Sequence, residues 1–333
     1  MTGTMTAVAI AEPGRLDRIR LPMPDPSEGE VLIRPRYVGL CGTDLELLHG
    51  TASYFRDGRA TYPHVFGHEW WGRVVDDDSA VVGHTVVSCE RCVRCRQGRR
   101  QLCQRMSEVG LYARQGAAAQ YIRMPKHAVT RLPDPLAQPW AVLIEPAVTV
   151  VEALTRAGCA RTDRVAVVGT GTIGLLAVQL AAARGGLVDA IGIDEAGLKL
   201  AAACGAEATY LTDDAPSGAY SLVVEASGAA GAFRDCLRLA EDGGRVALVG
   251  VANEPVDGLI PGDIALRGIT VHGIRHGLDH YEQTVALFAD RVFDARGLVA
   301  EIVPVTEAQR AFELLAHGRS GAPKVILDLG VDW

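Results

Sequence analysis

Short apolar runs alternate with amphipathic stretches through the second half of the chain. The run RVAVVG, from Arg164 to Gly169, is rich in β-branched residues and predicts a buried parallel strand. The stretch IGLLAVQLAAARG predicts a helix that follows it and ends near Gly185. Further predicted strands are LVDAIGID, LVVEASG, GRVALVGV and GITVHGI, with helices near residues 198–204, 231–240 and 280–290. The pattern predicts an α/β fold with a doubly wound parallel sheet.

The first 146 residues lack this alternation. They contain short strands such as TAVAIA and GEVLIRPRYVG, separated by many Pro and Gly turns, and predict a compact β-rich domain. A chain of 333 residues is long enough for about two domains. We therefore expect a β-rich domain over residues 1–146 and a doubly wound domain over residues 147–290.

The composition is that of an ordinary soluble globular protein, with 48% hydrophobic and 22% charged residues. A formal net charge of −7 gives no general electrostatic reason to bind nucleic acid or an anionic membrane. The N-terminal stretch MTGTMTAVAIAEPGR has no basic start, so it is not a secretory signal and we expect cytoplasmic localisation. The apolar stretch IGLLAVQLAAA falls short of the roughly 20 residues that cross a bilayer, so we expect no membrane span.

Four of the eight cysteines lie in the stretch SCERCVRCRQGRRQLC, with the spacing C-x2-C-x2-C-x7-C. They are Cys89, Cys92, Cys95 and Cys103. Because disulfides are rare in a reducing cytoplasm, such cysteines indicate metal ligands or redox groups. Four thiolates in one loop can form a closed tetrahedral zinc site that holds the loop together but leaves no position for a substrate.

Six arginines lie in or beside this lobe of residues 88–104 and leave open a basic nucleic-acid surface. However, no base-stacking aromatic residues are interleaved with them, and the rest of the chain is acidic. We therefore interpret the arginines as a solvated face and expect a structural zinc and no nucleic-acid partner.

The strand RVAVVG leads directly into a turn with the spacing G-x-G-x-x-G. In this motif the glycines allow a tight turn, close approach to a pyrophosphate and packing of the helix on the strand, while the helix N-terminus attracts the phosphate. Asp194 ends the next strand twenty residues after Gly174, where a carboxylate binds ribose hydroxyls and favours NAD over NADP. The alternative is a glycine turn in another α/β fold. The predicted cofactor-binding residues are Gly169, Gly171, Thr172, Ile173, Gly174 and Asp194.

Further potential metal ligands lie in CGTDLELLHG from Cys41, in GHEWWG from Gly67, and in LIEP, which ends at Pro146. In this order, with the four-cysteine lobe and GTGTIG, the whole chain resembles the zinc-dependent medium-chain dehydrogenase family of the alcohol dehydrogenase type. The resemblance implies a β-rich, GroES-like catalytic domain joined to a Rossmann domain. It also implies that PVTEAQRAFELL is the last helix and KVIL the last strand, so that residues 291–333 return to the catalytic domain.

The resemblance implies a second, catalytic zinc in the cleft between the domains, held by Cys41 and His68. Asp44 would orient one of these ligands. Glu145 occupies a position where many members have a cysteine, and its Glu-Pro sequence resembles the sorbitol and threonine dehydrogenase branch. Glu69 is then either a direct ligand or a neighbouring carboxylate that exchanges with water.

The activity implied by the resemblance is hydride transfer between NAD and an alcohol whose oxygen is bound by zinc as a Lewis acid. Thr43 matches the family's hydroxyl that passes the proton outward, but Glu46 stands where many relatives have a histidine. On a helix after Cys41, Thr43, Glu46 and His49 share one face. His49 is therefore a candidate catalytic replacement, and the alternative is that it is a surface residue.

We expect the substrate to be a polar secondary alcohol or ketone, such as a polyol, cyclitol or amino alcohol. The reasons are the glutamate-type zinc site and the polar residues in the loop from Gly50 to Phe66, although that loop is equally compatible with a surface position. The alternatives are a dehydrogenase of simple hydrophobic alcohols and a zinc-stabilised protein that senses the nucleotide. By resemblance we expect a homodimer or homotetramer paired through the strand GITVHGI.

Overall fold

A computed structural model of the protein describes residues 3–252, 254–317, 321–330 and 333. Within these ranges no helix has both the length and the apolar character needed to cross a membrane. Among the described residues, eight short 3-10 helices connect longer elements: Arg100–Leu102, Lys126–Ala128, Asp134–Leu136, Pro139–Leu143, Thr212–Asp214, Leu278–His280, Arg296–Leu298 and Val305–Glu307.

Short strands and turns dominate the N-terminal part, which confirms its predicted β-rich character. Its strands are β1 (Thr4–Glu12), β2 (Arg15–Pro22), β3 (Glu30–Leu40), β4 (Glu69–Val74), β5 (Ala80–Gly83), β6 (Val86–Val87), β7 (Ser107–Val109), β8 (Ala113–Arg114), β9 (Ile122–Pro125) and β10 (Val129–Arg131). Its helices are α1 (Gly42–His49), α2 (Ser53–Arg56) and α3 (Val93–Arg96). The four-cysteine lobe leaves this part between β6 and β7.

Six parallel strands form the sheet of the second part, in the order β13-β12-β11-β14-β15-β16. They are β11 (Arg164–Val168), β12 (Leu187–Gly192), β13 (Ala208–Leu211), β14 (Tyr220–Glu225), β15 (Ala240–Leu248) and β16 (Thr270–Gly273). The helices of this part are α4 (Ile144–Arg156), α5 (Thr172–Ala183), α6 (Glu195–Ala203), α7 (Ala232–Leu239), α8 (Pro261–Leu266) and α9 (Tyr281–Ala289). The strand order reverses between β11 and β14, so a crevice opens at their carboxyl ends, as the predicted doubly wound sheet requires.

The C-terminal segment returns to the sheet of the N-terminal part. It contains β17 (Val299–Pro304), α10 (Ala308–His317) and β18 (Lys324–Asp328). Strand β18 pairs antiparallel with β3, and β17 pairs parallel with β18. The resulting sheet has the order β10-β5-β4-β3-β18-β17, with β9 attached to β3. The last strand of the chain therefore lies directly beside the strand that leads to Cys41.

Helix α4 was missed by the sequence analysis, as were β13 and α8. It begins at Ile144 and runs on across residue 146, where we had expected a domain to end. Pro146 is compatible with it because a proline in the first turn of a helix costs no hydrogen bond. One continuous apolar core contains α4 together with Trp71 from the N-terminal part and Val165 from the parallel sheet. This shared core holds the two parts on either side of the crevice.

Candidate functional site

The four cysteines of the lobe converge on one point. All four Sγ atoms lie within 4.8 Å of one another. The Cys92–Cys95 and Cys92–Cys103 sulfur separations are 3.5 and 3.9 Å, and the Cys89–Cys95 separation is 4.0 Å. Four sulfurs held about 2.3 Å from a tetrahedral zinc would lie about 3.8 Å apart, whereas a disulfide requires about 2.05 Å. All four are free thiols, and their geometry fits a zinc ion.

Cys41 and His68 meet at the end of the strands that carry them. Cys41 follows β3 and precedes α1, and its Sγ lies 3.1 Å from Nε2 of His68, the residue before β4. Asp44, fully buried in the first turn of α1, accepts the Cys41 backbone N–H at 2.9 Å and lies 3.5 Å from His68 Nδ1. Their ligand atoms form a second group within 4.8 Å. A thiolate and an imidazole this close can share one metal ion, with Asp44 fixing the imidazole from behind.

The electrostatics of this group suit a cation. Burial opposes protonation of His68, but the charges of Cys41 and Asp44 outweigh it and raise the pKa of His68 well above its usual value. Cys41 and Asp44 thus favour a positive charge at the buried imidazole. A metal ion supplies that charge without requiring the proton.

Glu145, in the first turn of α4, is buried beside this group but is not one of the three residues whose ligand atoms cluster. Its Oε1 lies 2.6 Å from the Thr85 hydroxyl and 3.2 Å from Nε2 of His276. Burial alone would raise the pKa of Glu145, but the hydrogen bond and charge of His276, together with the charge of His68, lower it. The carboxylate is therefore anionic near neutral pH, as a metal ligand must be.

Glu69 is paired with a lysine from the other end of the chain. Its Oε2 lies 2.6 Å from Nζ of Lys324, and the two side chains are 3% and 1% exposed. Lys324 also donates a hydrogen bond to the Leu40 carbonyl oxygen at 3.0 Å. Burial raises the pKa of Glu69, although Lys324 opposes the shift. Of our two alternatives for Glu69, this ion pair favours a neighbouring carboxylate over a direct ligand.

The proposed relay residues lie on α1, the helix that we expected after Cys41. Thr43 is half-buried in its first turn, and Glu46 is half-buried one turn later, where partial burial raises its pKa. His49 is exposed in the last turn. This exposure favours our alternative interpretation of His49 as a surface residue.

The glycine turn connects β11 to α5 at the crevice. Gly169 has φ of 106°, a conformation that other residues rarely adopt. A side chain on Gly174 would meet the Gly169 carbonyl oxygen at 1.8 Å, whereas one on Gly171 would meet no atom within 4 Å. The first and third glycines are thus required for packing, and the second leaves open space for a phosphate, beside Thr172 and Ile173 in the first turn of α5.

Asp194 is the N-cap of α6, and its Oδ1 accepts the Gly197 N–H at 2.8 Å. It follows β12, the strand next to β11, so it lies at the same edge of the sheet as the glycine turn. This is the place where an acid contacts the adenosine ribose in a doubly wound fold.

A cluster of polar side chains lies near the Cys41–His68 group, and two of its members, Tyr54 and Arg59, belong to the polar loop between Gly50 and Phe66. Arg59 stacks on the rings of Tyr54 and Tyr112 at 4.8 and 4.7 Å. Arg275 forms an ion pair with Glu108 at 3.2 Å. Burial raises the pKa of Tyr54 to about 12, with the charge of Glu108 adding to the shift and that of His68 opposing it. These interactions join the cluster electrostatically to the candidate metal site.

Three further residues of the site were missed by the sequence analysis: Thr85, His276 and Lys324. Thr85 and His276 contact Glu145, and Lys324 contacts Glu69. Each lies 60 or more residues from its partner along the chain. No local pattern could have found them, because only the folded chain brings them to the site.

Comparison with known proteins identifies both halves of the chain. Residues 27–134 match the family model described as an alcohol dehydrogenase GroES-like domain, and residues 172–290 match that of a zinc-binding dehydrogenase. The chain is 30% identical to an L-threonine 3-dehydrogenase of Bacillus licheniformis, over 98% of this chain and 99% of that protein. It is 29% identical to a sorbitol dehydrogenase of Bacillus subtilis, over 92% of each. A solved zinc-binding dehydrogenase from Sinorhizobium meliloti 1021, bound to NADP, is 26% identical and superposes with a TM-score of 0.86, over 98% of this chain and all of that one.

Proposed function

Because this chain belongs to the zinc-type medium-chain alcohol dehydrogenase family, we propose that it transfers hydride between a polar secondary alcohol and NAD in the cleft between its two parts. The predicted family, oxidoreductase class and zinc and nicotinamide cofactors are confirmed by the comparisons.

We assign the catalytic zinc to Cys41, His68 and Glu145. The thiolate and imidazole already converge, and the Glu145 carboxylate is buried and anionic beside them. A zinc ion there supplies a Lewis acid for the alcohol oxygen. Asp44 holds the Cys41 backbone and faces the far nitrogen of His68, so it fixes both ligands at once.

Thr43 is assigned to accept the hydroxyl proton. It lies two residues after Cys41 on the first turn of α1 and is half-buried. A hydroxyl both accepts and donates a hydrogen bond, so Thr43 can receive the proton and pass it on without holding a charge.

The cofactor is assigned to the crevice at the ends of β11 and β14. The open space at Gly171 accommodates a pyrophosphate at the N-terminus of α5, and Asp194 on the neighbouring strand end accepts hydrogen bonds from ribose hydroxyls. A 2′-phosphate would bring negative charge against this carboxylate, which supports NAD over NADP.

The polar cluster near His68 is the observation that carries the substrate class. Glu108, Arg275 and Tyr54 present charged or hydrogen-bonding groups, and Glu108 and Tyr54 are substantially buried. A polyol or amino alcohol can hydrogen-bond to such groups, whereas a purely hydrophobic alcohol would leave them unpaired. The cluster therefore supports our polar substrate over the hydrophobic alternative.

A panel of matched alcohols tests this assignment. NADH formation is measured with zinc-loaded protein on polyols such as sorbitol, on amino alcohols such as L-threonine, and on 2-butanol. We expect kcat/KM for the best polar substrate to exceed that for 2-butanol by about a hundredfold or more. Glu108→Gln should narrow this ratio, while Glu307→Gln, which removes a surface carboxylate paired with Arg310, should leave it unchanged. If 2-butanol is turned over as fast as the polar substrates or faster, the substrate is a hydrophobic alcohol. If no alcohol is turned over, the alternative of a zinc-stabilised protein that senses the nucleotide is favoured.

We further propose that copies of the chain pair through β16, which forms one edge of the parallel sheet. An edge strand has unpaired backbone groups that a second copy can satisfy. Light scattering at micromolar concentration should give the mass of a homodimer or homotetramer, and a monomeric mass would contradict the proposal.

A further inference from the structure

The Glu145 carboxylate is anchored at one oxygen by two donors from distant parts of the chain. The Thr85 hydroxyl and Nε2 of His276 both contact Oε1, at 2.6 and 3.2 Å. Among the hydrogen bonds of the described residues, none engages Oε2. The carboxylate is thus held through one oxygen, and the other is the one left for a metal ion.

The histidine must act as the donor in this contact. A carboxylate that binds a metal ion can only accept hydrogen bonds, so Nε2 of His276, 3.2 Å from Oε1, must carry the hydrogen. In the part of the chain that the structure describes, Nδ1 of His276 is buried and has no hydrogen-bond partner. Among the described residues, the imidazole therefore makes its hydrogen bond to Glu145 through Nε2, and Nδ1 makes no hydrogen bond that would favour another ring orientation.

The backbone around His276 is locked onto the helix that carries Glu145. A side chain on Gly277 would meet the Val148 carbonyl oxygen at 1.8 Å, so the segment lies directly against α4, less than one turn after Glu145. Tyr281, at the start of α9, packs beside the imidazole with ring centroids 6.1 Å apart and accepts the Thr85 N–H at 3.3 Å. The histidine, the tyrosine and the threonine thus form one rigid support around the carboxylate.

We propose that His276 is a positioning residue for the third zinc ligand: with Thr85 it fixes Oε1 of Glu145, so that Oε2 completes the site formed by Cys41 and His68. This inference rests on the proposed function, in which these three residues hold the catalytic zinc. It concerns the metal site itself, and it can therefore be tested without substrate or nucleotide.

The test is a zinc competition titration on the full-length, two-zinc protein with a colorimetric chelator. His276→Ala should weaken zinc binding at the catalytic site by about 10- to 100-fold, as loss of a residue supporting a metal ligand typically does. The four-cysteine zinc should be released at the wild-type chelator concentration and serves as the internal reference. His276→Gln, whose amide can still donate to Oε1, should recover at least half of the lost binding free energy.

His280→Ala is the matched control. His280 lies in the same connecting segment, and its Nε2 contacts Glu152 Oε2 at 2.9 Å further along the same helix. If His276 only pinned the segment to α4, the two alanine variants would behave alike. We expect His280→Ala to keep zinc affinity within twofold of wild type. A similar loss in both variants, or wild-type affinity in His276→Ala, overturns the proposal.

A double variant shows whether the effect passes through the carboxylate. Glu145→Gln should lower the affinity of the catalytic site for zinc. Adding His276→Ala to this variant should lower the affinity by less than a further threefold. Full additivity would mean that His276 acts elsewhere and would overturn the proposal, as would a wild-type protein that binds one zinc only. Wild-type protein that binds both ions tightly yet oxidises no alcohol would refute the proposed function while leaving this inference standing.

Discussion

Replacing Lys324 with methionine should destabilise the protein strongly, because the lysine neutralises a buried carboxylate. Its Nζ lies 2.6 Å from Glu69 Oε2, and the side chains of the pair are only 1% and 3% exposed. Methionine keeps most of the apolar stem, so packing is largely preserved and the main loss is the charge. Glu69 would then be a buried anion with no counter-ion.

Breaking one partner of a buried ion pair costs about 3–5 kcal/mol. For a chain of 333 residues, an unfolding entropy of about 2 cal/mol/K per residue converts this loss into a melting temperature lower by about 4–7 °C. The double variant Glu69→Gln with Lys324→Met replaces the pair by neutral groups, and it should recover most of the lost stability because no charge remains uncompensated.

The loss of folding stability in Lys324→Met should depend on pH. Burial already raises the pKa of Glu69, and Lys324 opposes that shift. Without Lys324 the folded-state pKa of Glu69 rises further above its unfolded value of about 4.3. A group with a raised pKa contributes its full stability below the unfolded value and loses it as pH rises through the folded value. Lys324→Met should therefore be closer to wild type in stability at pH 5 and most destabilised at pH 8.

The assay is thermal unfolding monitored by fluorescence at pH 5 and pH 8, with the zinc content of each sample determined by elemental analysis. Zinc-replete Lys324→Met that melts with the wild type at pH 8 would show that the ion pair contributes nothing. If the melting temperature of the double variant stays as low as that of Lys324→Met, altered packing and not the unpaired charge causes the loss of stability.

Three further predictions concern the metal and cofactor sites. Wild-type protein should contain two zinc ions per chain, and Cys103→Ser should lose one and melt at a lower temperature, since structural zinc contributes directly to folding; unchanged metal content and melting would contradict this. Asp194→Ser should reduce the ratio of kcat/KM for NAD over NADP about tenfold, with the exposed neighbour Glu195→Gln as control; a wild-type enzyme that uses both cofactors equally would refute the assignment. Thr43→Val should lower kcat about a hundredfold or more, whereas His49→Ala, at an exposed position, should stay within twofold; wild-type turnover and pH profile in Thr43→Val would rule out the relay.

The parallel sheet could be predicted from sequence because each of its central elements carries its own pattern. Residues 164–168 form a continuous β-branched run, and residues 172–183 form an apolar helix opened by glycines. Both sides of such elements are buried in a doubly wound sheet, so the local composition is enough. The helix that begins at Ile144 escaped prediction for the opposite reason. Its sequence IEPAVTVVEALTR contains a proline and several β-branched residues that disfavour helix locally, and burial between the two parts of the protein overrides that preference.

Sequence also identifies the metal ligands more readily than the residues that support them. The four cysteines of the lobe stand out by type and spacing, so sequence alone nominates them, whereas Cys41 and His68 were nominated by the family resemblance. His276 does not stand out, since a single histidine after a strand is usually an ordinary polar residue. Its role emerges only when the loop that carries it is pressed against α4, which depends on the absence of a side chain at Gly277.

The position of Lys324 in the site is determined by strand pairing, which its local sequence does not reveal. In the sequence Lys324 opens the strand KVIL and would ordinarily be placed at an exposed strand end. Instead, the registers of two strand pairs bury it beside Glu69. Gly39 of β3 pairs with Glu69 of β4, and the next residue, Leu40, pairs with Val325 of β18. The ammonium and the carboxylate therefore meet across the end of β3, one residue before Cys41. Because a shift of one residue in a strand turns its side chains to the other face, the ion pair is available only in the native register. The pair thus ties strand β18 to the candidate metal site, and removing the Lys324 ammonium would leave Glu69 buried without its counter-ion.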